Sequence, residues 1–286
     1  MDKKLTIVVP CRNVENKIQQ LSETFKNQKN QDFKLIFVND CSDDNTLSVL
    51  KSTFIWKDSE DLLITSTDRR RYPGGARNFG VKLATTDYIW FIDADDTLFD
   101  DEVTDRVLKS LEYCHWPDCM ALWNRLVDDK LKPDGYKDAH YDLPNVSDLG
   151  SLPVAPWAKV FKRELYVEMP EGVLCEDTPW WFLQADKFET AAILKKPCVV
   201  YDRNNKSAIT ETVAWSGRNP TTLETLAMSN ILIKEGLHDK WISDFLRNVA
   251  LMYDIRNSFK HKYIYDAWKR RFEREYSNLM TCRYIH

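Results

Sequence analysis

Nowhere does the chain carry an apolar run long enough to cross a bilayer. The first hydrophobic stretch, residues 5–9, stops at Pro10, and no later segment approaches the ~18 apolar residues that a span needs. A signal h-region is excluded on the same ground, so the expectation is a soluble protein, at most attached to a membrane surface. Eight glycines and eleven prolines among 286 residues exclude collagenous and low-complexity chains. The seven cysteines show no CxxC spacing, and their odd number suits free or buried thiols in a reducing compartment, with the cytosol as default. Cys114, His115 and Cys119 lack a fourth ligand, which leaves a zinc site without support. Histidine is scarce too: among five, none completes a Ser-His-Asp set.

What is present is a globular composition, 43% hydrophobic and 29% charged, with a net charge of −4 that is unevenly placed. Residues 255–286 hold eight Lys/Arg against three acids, so this tail is basic and the remainder is acidic. The tail reads as a solvated helix face. Its sharper reading is a patch for a polyanion, either an anionic membrane or a nucleic acid.

Short β-branched runs alternate with helical periodicities through the first 125 residues. Strands are expected at 5–9, 35–38, 62–65, 88–92 and 119–123. Helices are expected to carry Val14, Ile18, Leu21 and Phe25, then Leu47, Leu50 and Phe54, then a segment starting near Gly75. Such alternation implies an α/β fold with a mainly parallel sheet flanked by helices, and ligands at the strands' C-terminal ends. Residues 125–160 read as loops, followed by helices near 162–167 and 177–188 and a strand at 198–201. From Thr221 the pattern is wholly helical, so a boundary is placed near 215: one α/β domain over 1–215 and a helical C-terminal appendage with the basic tail over 216–286.

The richest segment is Tyr88-Ile89-Trp90-Phe91-Ile92-Asp93-Ala94-Asp95-Asp96-Thr97, an apolar strand that delivers three carboxylates at its end. Three acids in four positions repel one another, and a cation relieves that repulsion; oxygen ligands favour Mg²⁺ or Mn²⁺ over zinc. Capping of the next helix by Asp95 or Asp96 accounts for one acid, not for three. Two enzyme classes share the pattern: a haloacid-dehalogenase-like phosphatase with Asp93 as nucleophile, and a nucleotide-sugar transferase in which D-x-D holds a metal.

Further segments decide between them. Thr6-Ile7-Val8-Val9-Pro10-Cys11-Arg12-Asn13 resembles the opening strand and loop of the family-2 glycosyltransferases. Phe37-Val38-Asn39-Asp40-Cys41-Ser42-Asp43-Asp44-Asn45-Thr46 is similar to their second strand, and Gly74-Gly75-Ala76-Arg77-Asn78-Phe79-Gly80 to their G-x-x-x-A-R-N-x-G helix start. Asp93-Ala94-Asp95 falls where their D-x-D falls, Glu176-Asp177 resembles their E-D element, and Tyr201-Asp202-Arg203 with Ser207-Ala208-Ile209-Thr210 their Y-x-R…S-I-T segment. The matches keep their order over about 205 residues. No Q-x-x-R-W pattern of processive polymerases follows, and the last 70 residues or so carry no motif of the family.

The resemblance implies a GT-A (Rossmann-like) fold, with a nucleotide-sugar-binding half over 1–100 and an acceptor half over 101–215. It implies an inverting, non-processive sugar transfer from a nucleoside diphosphate, UDP by preference, in surface glycan, lipopolysaccharide or capsule assembly. Asp95 and Asp93 would hold Mn²⁺ or Mg²⁺. Pro10, Arg12, Asn13, Glu15, Asp40, Arg77, Asp93, Ala94, Arg203 and Lys206 would contact the donor, although Arg12 stands where an aromatic residue often packs on the base. Asp177 is the expected base, with Glu176 as the neighbour that shares the role, while Trp157, Trp180 and Trp181 are expected as acceptor platforms, except that two adjacent Trp cannot face one way on a helix, so one of Trp180 and Trp181 is expected in the core. Asp40 has capping of the following helix as its plainer role, and Arg77 has a core salt bridge. The acceptor is expected to be a glycan or a lipid-linked sugar, with a location in the cytoplasm or at the inner membrane face. A hydroxylated DNA base reached through the basic tail is the minority acceptor. A sugar-nucleotide-binding module without turnover is the non-enzymatic alternative.

Overall fold

The computed structural model describes residues 3–127, 141–142, 154–172 and 176–202. The expected boundary near 215, the appendage and the basic tail lie outside them. The first half runs β1 (Leu5–Cys11), α1 (Ile18–Lys26), β2 (Phe33–Asn39), α2 (Thr46–Thr53), β3 (Leu62–Ser66), α3 (Tyr72–Leu83) and β4 (Tyr88–Phe91). All pairings among these four strands are parallel: β1 with β2, β1 with β4, and β2 with β3. The second half adds β5 (Thr97–Leu98), α4 (Val103–Tyr113), β6 (Cys119–Val127), β7 (Tyr141–Asp142), β8 (Lys159–Lys162), α5 (Asp177–Ala185) and β9 (Ala191–Asp202). Among the described residues the strands form a single sheet ordered β3-β2-β1-β4-β8-β6-β9-β5, with β7 on β9. It is parallel in its first half and mixed in its second, since β8 runs antiparallel to both β4 and β6.

The unbroken apolar runs of β1 and β2 follow from burial on both faces. Ile7, Val9, Leu35 and Phe37 pack on one face with Ile18, Leu21 and Phe25 of α1, Leu50 of α2, and Val103, Val107 and Leu111 of α4. Val8, Ile36, Val38 and Phe91 pack on the other with Ala76 and Val81 of α3 and Trp180, Trp181 and Ala185 of α5. The strand order turns at β1, which has β2 on one side and β4 on the other. At such a point open α/β sheets take ligands in the crevice outside the C-terminal strand ends.

Two expectations are corrected. The helix expected near 162–167 is a single 3₁₀ turn, Arg163–Leu165, because Lys162 still pairs in β8 and the Val167 N–H is drawn to Gln184 Oε1 at 2.8 Å. Nor do Asp95 and Asp96 cap the next helix: β5 intervenes, and α4 starts after Glu102 with no side-chain cap.

Candidate functional site

β4 ends at Phe91, and Asp93 follows two residues on, partly exposed at the mouth of the crevice. Its carboxylate is taken by Arg77 of α3, whose Nη2 lies 2.6 Å from Asp93 Oδ1. The other arm of the same guanidinium reaches Glu176, with Nη1 2.8 Å from Oε1. Arg77 is only 4% exposed, and its guanidinium also faces the Phe91 ring at 5.9 Å. One buried cation therefore holds the acid that ends β4 and the acid that precedes α5. Both terminal nitrogens of Arg77 are thus engaged by carboxylates, the core salt bridge that was its plainer expected role.

The glycines of the same segment explain how Arg77 gets there. A Cβ on Gly74 would lie 2.7 Å from the Pro170 carbonyl oxygen and 2.8 Å from Glu176 Cγ, so only glycine lets the Met169–Pro170 segment and Glu176 close on α3. Asn78 then clamps that segment. Its Nδ2 donates to the Met169 carbonyl at 2.9 Å, while Oδ1 accepts from the Met169 N–H at 2.8 Å and from the Tyr166 hydroxyl at 2.6 Å. Asn78 escaped the sequence reading, although the A-R-N pattern that singled out Arg77 contains it.

The electrostatics follow from burial and proximity. Burial pushes Glu176 up to about 7, against the pull of Arg77, and the charge of Asp177 adds to the rise. Burial draws Arg77 downward, but Asp93 and Glu176 outweigh it and hold the guanidinium above its ordinary value. The Cys11 thiol, buried at the end of β1, is pushed well up by desolvation and then by Asp93 and Asp95. It stays protonated beneath the two acids, which excludes it as a thiolate. Asp95 is half-buried in the turn after β4, and Ala94 is buried.

The loops after β1 and β2 are tied to each other. Arg12 Nη1 donates to the carbonyl of Asp40 at 2.8 Å and to that of Cys41, and its Nη2 bonds Asp43 at 2.8 Å. Asn13, in the left-handed region at φ 52°, accepts from the Asp43 N–H at 2.8 Å. Glu15 Oε2 accepts from the Asn45 N–H at 2.8 Å. Arg12, Asn13 and Glu15 thus build the crevice wall; Pro10, half-buried, precedes them on β1. Asp40 is only 3% exposed, and its carboxylate accepts from Thr67 Oγ1 at 2.9 Å and from the backbone N–H groups of Arg71 and Tyr72, each at 2.8 Å. Of its plainer role as a cap, one point is corrected: the helix start that its carboxylate meets is that of α3, not of the following α2.

Of the residues expected on the acceptor side, Asp177 is the first of α5 and half-buried beside Glu176. Trp157 is half-buried in a 3₁₀ turn before β8, its carbonyl accepting from Trp90 Nε1 at 2.9 Å. Trp180 and Trp181 are both 0% exposed, a correction to their role as acceptor platforms. Trp180 Nε1 donates to the Val167 carbonyl at 2.9 Å, and the Lys159 ammonium lies 4.1 Å from the Trp181 ring centre. They face inward because α5 sits flat on Phe91 and Phe161. Arg203 and Lys206 lie outside the described residues.

Residues 6–152, just over half of the chain, match the model of glycosyl transferase family 2, and the chain belongs to that family. A poly(ribitol-phosphate) beta-glucosyltransferase of Bacillus spizizenii is 34% identical over 95 residues, covering 32% of this chain and 15% of its own. The chain spans between 13% and 39% of the length of the curated relatives it matches. Among solved structures, residues 1–349 of Staphylococcus aureus TarS, in complex with UDP-GlcNAc, give a TM-score of 0.63 at 19% identity, over 80% of this chain and 66% of that one. The mannosyltransferase PcManGT of Pyrobaculum calidifontis, in complex with GDP-Man and Mn²⁺, gives 0.53 at 15% identity, over 94% and 86%. These likenesses establish the GT-A fold. Family membership also replaces the phosphatase reading of Asp93. Among the described residues no helix is long and apolar enough to cross a membrane.

Proposed function

We propose that the chain transfers one sugar at a time, with inversion, from a nucleoside-diphosphate sugar to an acceptor hydroxyl of a surface glycan, with UDP as the preferred nucleotide. The observation that carries this reading is Arg77, which joins Asp93 at 2.6 Å and Glu176 at 2.8 Å and so unites the donor-side and acceptor-side acids in one centre. The B. spizizenii relative's named action on a poly(ribitol-phosphate) supports a surface-polymer acceptor. The TarS complex with UDP-GlcNAc supports UDP.

In this reaction the acceptor oxygen attacks the anomeric carbon, the bond to the diphosphate breaks on the opposite face, and the hydroxyl proton passes to a base. Asp177, at the start of α5, is the base in this reading, and Glu176, whose carboxylate Arg77 holds, is its neighbour. Asp93 and Asp95 are hard oxygen donors suited to Mn²⁺ or Mg²⁺. When bound, such an ion offsets the charge that grows on the leaving diphosphate. Arg77 fixes the direction in which Asp93 points.

Calorimetric titration of UDP and of GDP, with and without Mn²⁺, into wild type and Asp95→Ala tests the donor assignment. Metal-dependent binding of UDP that the variant loses is the expected result. Preference for GDP would overturn the choice of nucleotide, and binding of neither would overturn the donor class.

A further inference from the structure

Tyr72 opens α3 in the left-handed region, at φ 64°, a conformation that suits glycine and strains a bulky side chain. The strain is held by Asp40, whose buried carboxylate accepts from the backbone N–H groups of Arg71 and Tyr72 at 2.8 Å each. Asp40 lies at the end of β2, and its own carbonyl accepts from Arg12 Nη1 at 2.8 Å. Arg12 and Tyr72 therefore flank the same strand end at the rim of the crevice. Arg12, where a flat ring would be useful to a base, is committed to two carbonyls and to Asp43. Tyr72 is half-buried rather than packed away, and the guanidinium of exposed Arg70 sits 4.2 Å from its ring centre.

We infer that Tyr72, stacked with Arg70, is the platform on which the donor's nucleobase rests, in place of an aromatic residue at the end of β1. This rests on the nucleotide-sugar reading above. A flat base adds to the stack without needing edge-specific hydrogen bonds. Asp40 acts here as a positioning residue: its two backbone bonds hold the ring at the rim.

The test exploits the strain. In Tyr72→Gly the ring is removed while the backbone gains the residue best suited to φ 64°. Wild type, Tyr72→Gly and Tyr72→Phe are titrated in Mn²⁺ with whichever of UDP or GDP wild type binds more tightly, and with inorganic pyrophosphate. Expected is an affinity for the nucleotide that is weaker by about tenfold in Tyr72→Gly and restored in Tyr72→Phe. Pyrophosphate affinity should be unchanged and the thermal midpoint unchanged or higher. Wild-type nucleotide affinity in Tyr72→Gly, with Asp95→Ala still losing it, overturns the platform and leaves the donor reading standing. Equal losses of nucleotide, pyrophosphate and thermal stability make the ring a brace and also overturn it. Failure of wild type to bind either nucleotide removes the donor reading and the platform together.

Discussion

Glu176 is a carboxylate buried against the arginine that also holds Asp93, and its titration carries a sign that can be measured. Burial raises it to about 7, while the unfolded chain releases that proton at the ordinary value near 4.5. Between those values the folded state binds more protons than the unfolded one, so stability falls as pH rises. The contribution of Glu176 is whole below the unfolded value and is lost as pH climbs through the folded one. Glu176→Gln carries no such proton, and its stability should therefore be flatter than wild type across this window. Urea denaturation midpoints taken from pH 4.5 to 7.5 check it; parallel profiles would mean that Glu176 ionises in the folded chain as it does in the unfolded one. The sequence displayed both acids and the arginine, each as a separate candidate. Their union was not legible, because 99 positions separate Arg77 from Glu176 and no local pattern encodes a contact at that range.

Among the elements, β1, β2 and β4 were legible because burial on both faces leaves an unbroken apolar run, which few other structures produce. The start of α3 was not. The periodicity suggests Gly75, whereas the helix begins at Tyr72, since its cap is supplied by Asp40 from the end of β2. One of Trp180 and Trp181 was expected in the core, because neighbours on a helix cannot face one way; the burial of both was hidden. Within α3, Gly80 marks the close approach of helix to sheet. A Cβ there would collide with Val8 of β1 and come within 3.2 Å of Val38 of β2. Both neighbours belong to the packed sheet, where overpacking costs about 1–3 kcal/mol. Gly80→Ala should lose stability of that order in chemical denaturation while the site residues keep their identities. An unchanged midpoint would show that α3 can stand off the sheet without penalty.

At the scale of the molecule, the parallel half of the sheet brings Asp93 and Asp95 to the crevice, and the mixed half brings β8 and α5 against it with Asp177 at the helix start. On the proposed reading the described residues hold both sides of the transfer, tied to each other through Arg77 and Asn78. A substitution at Asp177 separates an enzyme from a module that merely holds a sugar nucleotide. In an enzyme, Asp177→Asn keeps the shape of the site and removes the proton acceptor. Turnover of the donor should then drop by about 10²–10⁴-fold, the usual reach of a positioned base, while nucleotide affinity stays at the wild-type level. Donor consumption followed together with calorimetric binding reads both quantities on the same preparations. Loss of binding along with turnover would place Asp177 in the donor pocket instead. Turnover equal to wild type would move the base elsewhere and leave Asp177 as an acid in the first turn of α5.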